Sequence, residues 1–155
     1  YLSGPKAGRA PEISAALPDW DAARRVYQWM GRATGVKQHL LRSIHDVSDG
    51  GLLVAVSEGL LARGFGARIR IGAGKELWST CFGEGFHSFV VSVPETESPV
   101  IEADWTAAEV PFLRIGEVTH RAELDVSWEE VESVARMQLP VGRLQEAWNR
   151  VGYWE

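Results

Sequence analysis

The sequence has almost no cysteine, and this scarcity limits the kinds of site that it can build. Its 155 residues contain one cysteine, Cys81, so the chain can form no internal disulfide. A single thiol is also too few for a cysteine-based metal cluster. Such cysteine usage is typical of a reducing compartment, and we expect a cytoplasmic location.

Long apolar runs and an excess of positive charge are missing as well. No stretch of about 18 apolar residues is present to cross a membrane, and no basic start followed by an apolar run resembles an export signal. The net charge of −5 argues against a general affinity for nucleic acid. We therefore expect neither a membrane nor a nucleic acid as a partner. The sequence also lacks an initial methionine, which we interpret as the mark of a piece of a longer protein.

What the sequence does contain is the composition of an ordinary globular domain. Hydrophobic residues make up 45% and charged residues 24%, and this length is enough to bury a core of its own. Three prolines and two glycines fall within 3–18, so we predict a linker or wrapping arm over 1–18. The main domain is predicted over 19–135 and a C-terminal helical tail over 136–155.

The order of predicted elements indicates an α/β (α+β) fold, with a mixed β-sheet sandwiched by helices. Hydrophobic periodicity and turn residues place these elements. Helices are predicted from the N-cap Asp19 to about Gly35, over 52–64, 75–82 and 99–110, from the capping-box pattern Ser127–Glu130, and over 140–151. Strands are predicted over 42–45, 67–71, 86–93, 112–119 and 121–126, the last two joined as a hairpin near Thr119 and His120.

The stretch with the clearest chemical content is His45-Asp46-Val47-Ser48-Asp49-Gly50-Gly51-Leu52. It is predicted at the end of a strand and the start of a buried helix, which is where open α/β sheets bind ligands because backbone N–H groups and the helix dipole point outward. Two glycines allow the backbone to approach a phosphate and to adopt positive φ. The neighbouring carboxylates and hydroxyl suit Mg²⁺, which shares its coordination with phosphate oxygens. The same residue types also cap helices and form turns elsewhere, so spacing alone leaves both interpretations open.

This stretch, with Ala55-Val56-Ser57-Glu58 after it, resembles the C-terminal domain of the aminoimidazole ribonucleotide synthetase superfamily. It is most similar to the second such domain of phosphoribosylformylglycinamidine synthases. Three further segments match in order: Cys81-Phe82-Gly83-Glu84 with the strand after it, Val110 to Val118, and Leu144 to Trp148. The second glycine, Gly51, separates the sequence from thiamine-monophosphate kinases, which come nearest among the other relatives.

The resemblance implies an ATP- and glutamine-dependent amidation of formylglycinamide ribonucleotide in purine biosynthesis. It makes Asp46 a Mg²⁺ ligand and places Ser48, Asp49, Gly50, Gly51 and Glu84 at ATP or ADP. No catalytic residue is expected within this fragment, which we predict to be inactive alone. The implied partners are the preceding domains of the same polypeptide and, in the multi-subunit form of the family, a glutaminase subunit and a small bridging subunit.

Departures from the family pattern keep alternatives open. Where the first C-terminal domain of the family reads substrate with Glu-Ser-Gln, this chain has Glu84-Gly85-Phe86, and phenylalanine cannot hydrogen-bond a ribotide. The domain can therefore be a structural or interaction module with a decayed nucleotide site. A thiamine-monophosphate kinase-like or hydrogenase-maturation relative of the same superfamily is a further alternative.

Several other residues have both a structural and a functional interpretation. His45 is either a metal ligand or base, or a hydrogen-bonded core histidine. His39 and His87 are weaker candidates, and His120 is expected to be solvated. Cys81 is expected to be a small core residue. Arg24-Arg25 is expected to be a solvated helix face, and Glu129-Glu130 is expected to form a first helical turn. Four tryptophans fit either a core or a surface that meets a partner: Trp20, Trp29, Trp78 and Trp105.

Overall fold

The computed structural model describes residues 19–35, 40–72, 77–84, 87–129 and 134–151. Its helices are α1 (Trp20–Gly35), α2 (Gly51–Leu61), α3 (Leu77–Phe82), α4 (Ser98–Ala107) and α5 (Val141–Val151). Its strands are β1 (Ser43–Asp46), β2 (Gly66–Ile71), β3 (Phe89–Ser92), β4 (Gly116–Thr119), β5 (Glu123–Glu129) and β6 (Val134–Pro140). Within these ranges no helix has both the length and the apolar character needed to span a bilayer.

A four-stranded mixed sheet in the order β4-β2-β5-β6 carries the main core. β2 pairs antiparallel with β4 and parallel with β5, and β5 pairs antiparallel with β6. Alternate residues of the central strands, such as Ile69, Leu124 and Val126, are buried against apolar side chains of α2 and α5. Burial of this apolar face is what holds the two helices on the sheet. The predicted mixed α+β class is confirmed.

A second, smaller layer consists of β1 and β3 with α1 and α4. β1 and β3 form a two-stranded antiparallel sheet in which Asp46 lies opposite Phe89. Between α1 and α4, Trp29 is 4% exposed and its indole N–H donates to Asp104 Oδ2 at 2.6 Å. Because an isolated two-stranded sheet is marginally stable, the packing of neighbouring helices is needed to hold β1 in place.

The predicted hairpin after Phe112 is wrong, because β2 lies between its two strands. β4 and β5 are antiparallel to each other but each pairs with β2, so the link from Thr119 to Glu123 must span about 10 Å across it. Gly66, the first residue of β2, passes under this link. A Cβ atom there would overlap the backbone of Arg121 and Glu123, so only glycine fits.

The helix predicted from Ser127 is also wrong. β5 continues to Glu129, with Leu124, Val126 and Trp128 on its inner face, and pairing with β2 and β6 overrides the local capping pattern. For the same reason Glu129 ends a strand rather than opening a helix. The segment predicted as a helical tail is β6 up to Pro140 and becomes helical from Val141.

The other predicted elements are present, and two of the strands are shorter than predicted. The strand expected from Phe112 begins only at Gly116, and the one expected over 86–93 is β3, Phe89–Ser92. Asp19 is confirmed as an N-cap, because its Oδ1 accepts hydrogen bonds from the amides of Asp21 and Ala22. The arm predicted over 1–18, His39, Gly85-Phe86 and Glu130 lie outside the described residues.

Candidate functional site

Five of the six predicted site residues, all but Glu84, lie in one short turn between β1 and α2. The Val47 amide donates to the Ser88 carbonyl oxygen at 2.9 Å, which ties the start of the turn to the segment before β3. The Gly51 amide donates to the Ser48 carbonyl oxygen at 3.0 Å and closes the turn. Gly50 and Gly51 have φ of +82° and +76°, in the left-handed region that other residues avoid. We call residues 46–51 the glycine turn.

The sixth predicted site residue, Glu84, lies directly after a backbone segment that packs against Gly51. A Cβ atom on Gly51 would lie 2.6 Å from the carbonyl carbon of Phe82 and 2.7 Å from the carbonyl oxygen of Gly83. The backbone at the end of α3 therefore lies directly against the first residue of α2. Glu84 follows Gly83 immediately and is exposed.

The polar groups of the glycine turn face solvent. Asp46, Ser48 and Asp49 are exposed, and the side chain of Asp46 is 66% accessible. The N-cap of α2 is Gly50, which offers no side-chain oxygen to the first amides of the helix. A helix N-terminus without a capping side chain can accept an anion where its first amides are reachable, because these amides and the helix dipole point out of the helix.

The strands beside the glycine turn differ from the sequence-based expectation in one respect. We expected the carboxyl edge of an open α/β sheet, where parallel strands direct their ends toward a ligand. Among the described strands, β1 pairs only with β3, and that pairing is antiparallel. The turn is therefore positioned by the β1–β3 ribbon and by α2 and α3 rather than by a parallel sheet.

His45 is held by two oxygen acceptors beside the turn. Its Nδ1 lies 2.7 Å from the Asp46 carbonyl oxygen, and its Nε2 lies 2.8 Å from Glu58 Oε2. The imidazolium form has a proton on each nitrogen and can donate to both acceptors. This arrangement fits neither a free metal ligand nor a general base, and it is not a core position, because the side chain is 32% accessible.

Glu58, which contacts His45 beside the turn, is a residue that the sequence analysis did not single out as a candidate. The available signal was its position as the one charged residue of the otherwise apolar helix Gly51–Leu61. A partly buried carboxylate on such a helix is costly unless it has a hydrogen-bond partner, and His45 Nε2 is that partner.

The chemistry of the donor set limits what metal the turn can hold. Among the described residues no group of three or more His, Cys, Asp or Glu side chains is arranged to bind a metal ion. Mg²⁺ is held by one or two carboxylates together with water and substrate phosphates. Asp46 and Asp49 therefore fit Mg²⁺ that arrives with a nucleotide, and they do not fit a metal held by protein ligands alone.

Two of the remaining candidates have structural roles, and a third has an aromatic neighbour. Cys81 is 5% exposed, and burial raises the pKa of its thiol, as expected of a core residue rather than a nucleophile. His87 Nδ1 lies 3.1 Å from the hydroxyl oxygen of Tyr27. His120 is exposed, as predicted, with its ring beside Phe65.

A second group of charges lies on the outer face of the four-stranded sheet. Asp125 is 8% exposed and accepts two hydrogen bonds from Arg136, one of them from Nε at 2.6 Å. These bonds, together with the charges of Arg136 and Arg68, hold the pKa of Asp125 below its usual range although burial opposes them. Arg68 in turn pairs with Glu117. We call these four residues the charge ladder.

Comparison with known proteins gives matches of sequence and of fold. The family model described as AIR synthase related protein, C-terminal domain, matches residues 11–129. The phosphoribosylformylglycinamidine synthase subunit PurL of Synechococcus elongatus is 35% identical over 147 residues, covering 90% of this chain and 18% of the relative. The corresponding subunit of Parasynechococcus marenigrum is 35% identical over 137 residues, covering 82% of this chain and 17% of the relative.

Solved structures from Thermotoga maritima share the fold. The structure described as PurLQS superposes with a TM-score of 0.67 at 20% sequence identity, covering 86% of this chain and 23% of the other. PurL complexed with ATP superposes with a TM-score of 0.57 at 21% identity, covering 79% and 21%. The chain therefore spans less than a quarter of the solved chains and less than a fifth of the curated relatives described above.

Proposed function

The chain belongs to the AIR synthase related protein, C-terminal domain family, and we propose that it is such a domain of a phosphoribosylformylglycinamidine synthase. The activity proposed for the whole protein is the ATP- and glutamine-dependent amidation of formylglycinamide ribonucleotide. In that reaction ATP phosphorylates the carbonyl oxygen of the glycinamide, and ammonia from glutamine then displaces phosphate to give the amidine, with the formyl group unchanged. The location that we propose is the cytoplasm.

The part proposed for this chain is a half-site for Mg–nucleotide at the glycine turn. Asp46, with Asp49 beside it, would hold Mg²⁺, and Ser48 and the amides at the start of α2 would hold phosphate oxygens. Mg²⁺ supplies charge neutralisation to the phosphates when bound. The chain itself positions the phosphates, because Gly50 and Gly51 keep side chains away from them. Glu84 borders the same surface. No catalytic residue is assigned to this chain.

One observation carries this proposal. The exposed carboxylates of the glycine turn lie beside a helix N-terminus that has no capping side chain, and two consecutive glycines with positive φ form the junction. A glycine cap leaves the first amides of α2 without a side-chain acceptor, and such amides are the groups that bind an anion at a helix N-terminus. The fold is also that of Thermotoga maritima PurL, which has been described with ATP and with ADP.

A second role, as a scaffold whose nucleotide site has decayed, has its own support. Trp20 and Trp78 are 67% and 76% exposed, and large exposed aromatic side chains are typical of surfaces that meet a partner. The partners proposed are the preceding domains of the same polypeptide and, in a multi-subunit enzyme, the glutaminase and small bridging subunits. The two roles are compatible, since a half-site is completed by a neighbouring domain.

Calorimetric titration of Mg–ADP and Mg–ATP into the chain tests the half-site. We expect saturable binding that Asp46→Asn weakens by at least about tenfold, because one carboxylate ligand is lost. Asp21→Asn on α1 is the matched control, since Asp21 is an exposed carboxylate with its own partner, Arg24. Its affinity should equal that of the wild type.

The outcomes separate the two roles. Equal binding by the wild type and by Asp46→Asn would contradict the metal role of Asp46. Absence of binding both by the chain and by a longer polypeptide that includes the preceding domain would favour the scaffold. Binding by the longer polypeptide alone, sensitive to Asp46→Asn, would support a half-site that its neighbour completes.

A further inference from the structure

We propose that His45 and Glu58 form a positioning pair, which fixes the carboxylate of Asp46 relative to the N-terminus of α2. The inference rests on the proposed nucleotide role of the glycine turn. It assigns to His45 and Glu58 no contact with nucleotide or metal. Their effect is exerted through the turn between them.

The contacts of His45 bridge the two ends of the glycine turn. On one side, Nδ1 meets the carbonyl oxygen of Asp46, the residue at which the turn begins. On the other side, Nε2 meets Glu58, which lies on α2 about two helical turns after Gly51. One imidazole therefore connects the end of β1 to the helix that the turn leads into.

The pair also restrains the part of the turn that bears the proposed metal ligand. β1 has only four residues and β3 as its described neighbour, so its carboxyl end is held by few backbone bonds. Asp46 Oδ1 lies 3.9 Å from His45 Nδ1, and the contact of that nitrogen with the Asp46 carbonyl oxygen holds the backbone that bears the carboxylate. Fixing the imidazole therefore restricts both the backbone and the carboxylate of Asp46.

The position of Glu58 favours such a role over a solvated surface charge. Its side chain is 26% accessible, on a helix whose other residues are apolar, small or, in the case of Ser57, bonded back to the Leu53 carbonyl oxygen. Partial burial of a carboxylate is unfavourable unless a hydrogen-bond donor compensates. The same logic operates in metal sites, where groups behind a ligand orient it and set its affinity.

Amide hydrogen exchange tests the positioning without any ligand. His45→Ala and Glu58→Ala should accelerate exchange of the Gly51 amide, which closes the turn, and leave the paired amides of β5 and β6 unchanged. His45→Asn keeps a donor near Nδ1 and His45→Gln keeps one near Nε2, so each should give a smaller acceleration than alanine. His120→Ala and Glu95→Gln, at exposed positions, are the matched controls. Exchange at Gly51 equal to that of the wild type in both alanine variants would overturn the proposal.

Nucleotide titration then connects the pair to Asp46. We expect His45→Ala and Glu58→Ala each to weaken Mg–nucleotide binding by about tenfold or more, the usual effect of removing a group behind a metal ligand. Glu58→Gln, which keeps a hydrogen-bond acceptor, should recover part of the loss. In an Asp46→Asn background neither alanine variant should weaken binding further, because the group that they position is absent.

The failure of each claim has a different signature. If Asp46→Asn weakens binding but both alanine variants bind as the wild type does, the positioning pair is refuted and the half-site stands. If Asp46→Asn has no effect, the proposed metal role fails, and the exchange of Gly51 still decides whether the pair positions the turn. Equal loss of unfolding free energy and of exchange protection throughout the chain would reduce the pair to a structural contact and also refute the proposal.

Discussion

The glycine turn and the charge ladder each contain an aspartate on a strand, and the fold treats the two carboxylates in opposite ways. Asp125 lies within β5, is nearly inaccessible and is neutralised by two hydrogen bonds from Arg136. Asp46 ends β1, its side chain is mostly accessible, and its one described side-chain neighbour of possible opposite charge is His45, whose Nδ1 lies 3.9 Å away. The carboxylate of Asp125 is used in contacts within the fold, whereas the carboxylate of Asp46 remains available to a ligand.

The difference shows where a carboxylate can serve a ligand in this molecule. A neutralised carboxylate contributes to stability but has few lone pairs left for a cation. An exposed one contributes little to stability and keeps its coordination capacity. An Asp→Asn substitution should therefore act differently in the two regions. At Asp125 it should lower the stability of the fold, whereas at Asp46 it should weaken nucleotide binding.

Gly51→Ala should have the largest effect, because the junction of the glycine turn has no room for a side chain. The added methyl group would overlap the backbone of Phe82 and Gly83, and alanine disfavours a φ of +76°. We expect a loss of roughly 3 kcal/mol in unfolding free energy, measured by urea denaturation. Gly59→Ala in the same helix has open space and should be neutral or stabilise by about 0.5 kcal/mol. Similar values for both variants would contradict the close packing of α2 on α3.

Asp125→Asn should have the next largest effect, because the charge ladder loses its central anion. The amide keeps one acceptor for Arg136 but cannot accept both hydrogen bonds, and Arg136 loses its charged partner while Arg68 keeps Glu117. A decrease of about 1 to 2 kcal/mol in unfolding free energy is expected from the same denaturation measurement. If Asp125→Asn were as stable as the wild type, the ladder would be a surface contact of no energetic weight.

The acid dependence of stability should distinguish the wild type from Asp125→Asn further. Because the folded pKa of Asp125 is lowered, its contribution is fully present above the unfolded value of about 3.9 and disappears as the pH falls through the folded pKa. The difference in unfolding free energy between the wild type and Asp125→Asn should therefore be constant near neutral pH and shrink below about pH 4. A difference that grew on acidification would have the wrong sign for this pair.

Asp46→Asn should have the smallest effect on stability. The substitution at an exposed carboxylate should change the unfolding free energy by less than about 0.5 kcal/mol, although it weakens nucleotide binding. Urea denaturation of Asp46→Asn beside Asp125→Asn gives the comparison directly. A loss at Asp46 as large as that at Asp125 would remove the distinction between the two regions.

Sequence reasoning reached the features that depend on neighbouring residues. The Asp19 cap, the buried helix after Gly50-Gly51 and the strand Ala67–Ile71 each have a local signal, and each is present. The exposed glycine turn was identified in the same way. Features that depend on remote pairing were missed, because no local pattern places β2 between β4 and β5 or sets Asp125 beside Arg136.

The helix predicted from Ser127 shows that remote strand pairing can also override a clear local pattern. Ser127 and Glu130 have the spacing of a capping box, but alternate residues from Leu124 to Trp128 pack on the sheet core. Burial of these side chains against β2 and β6 outweighs a local cap of about 1 kcal/mol. Likewise the His45–Glu58 contact depends on the angle between β1 and α2, which the sequence does not state.

The passage of Gly66 beneath the link between β4 and β5 has a consequence for the order of folding. β2 is made early in the chain, but both of its sheet neighbours lie roughly fifty residues later. During synthesis the helix with the glycine turn and β2 therefore leave the ribosome well before the strands that cover them. Closure of the link over Gly66 must come late, and a refolding experiment should find this non-local step to be the slow one. The glycine turn, although its own hydrogen bonds are local, is therefore stabilised only after the remote strands have paired with β2.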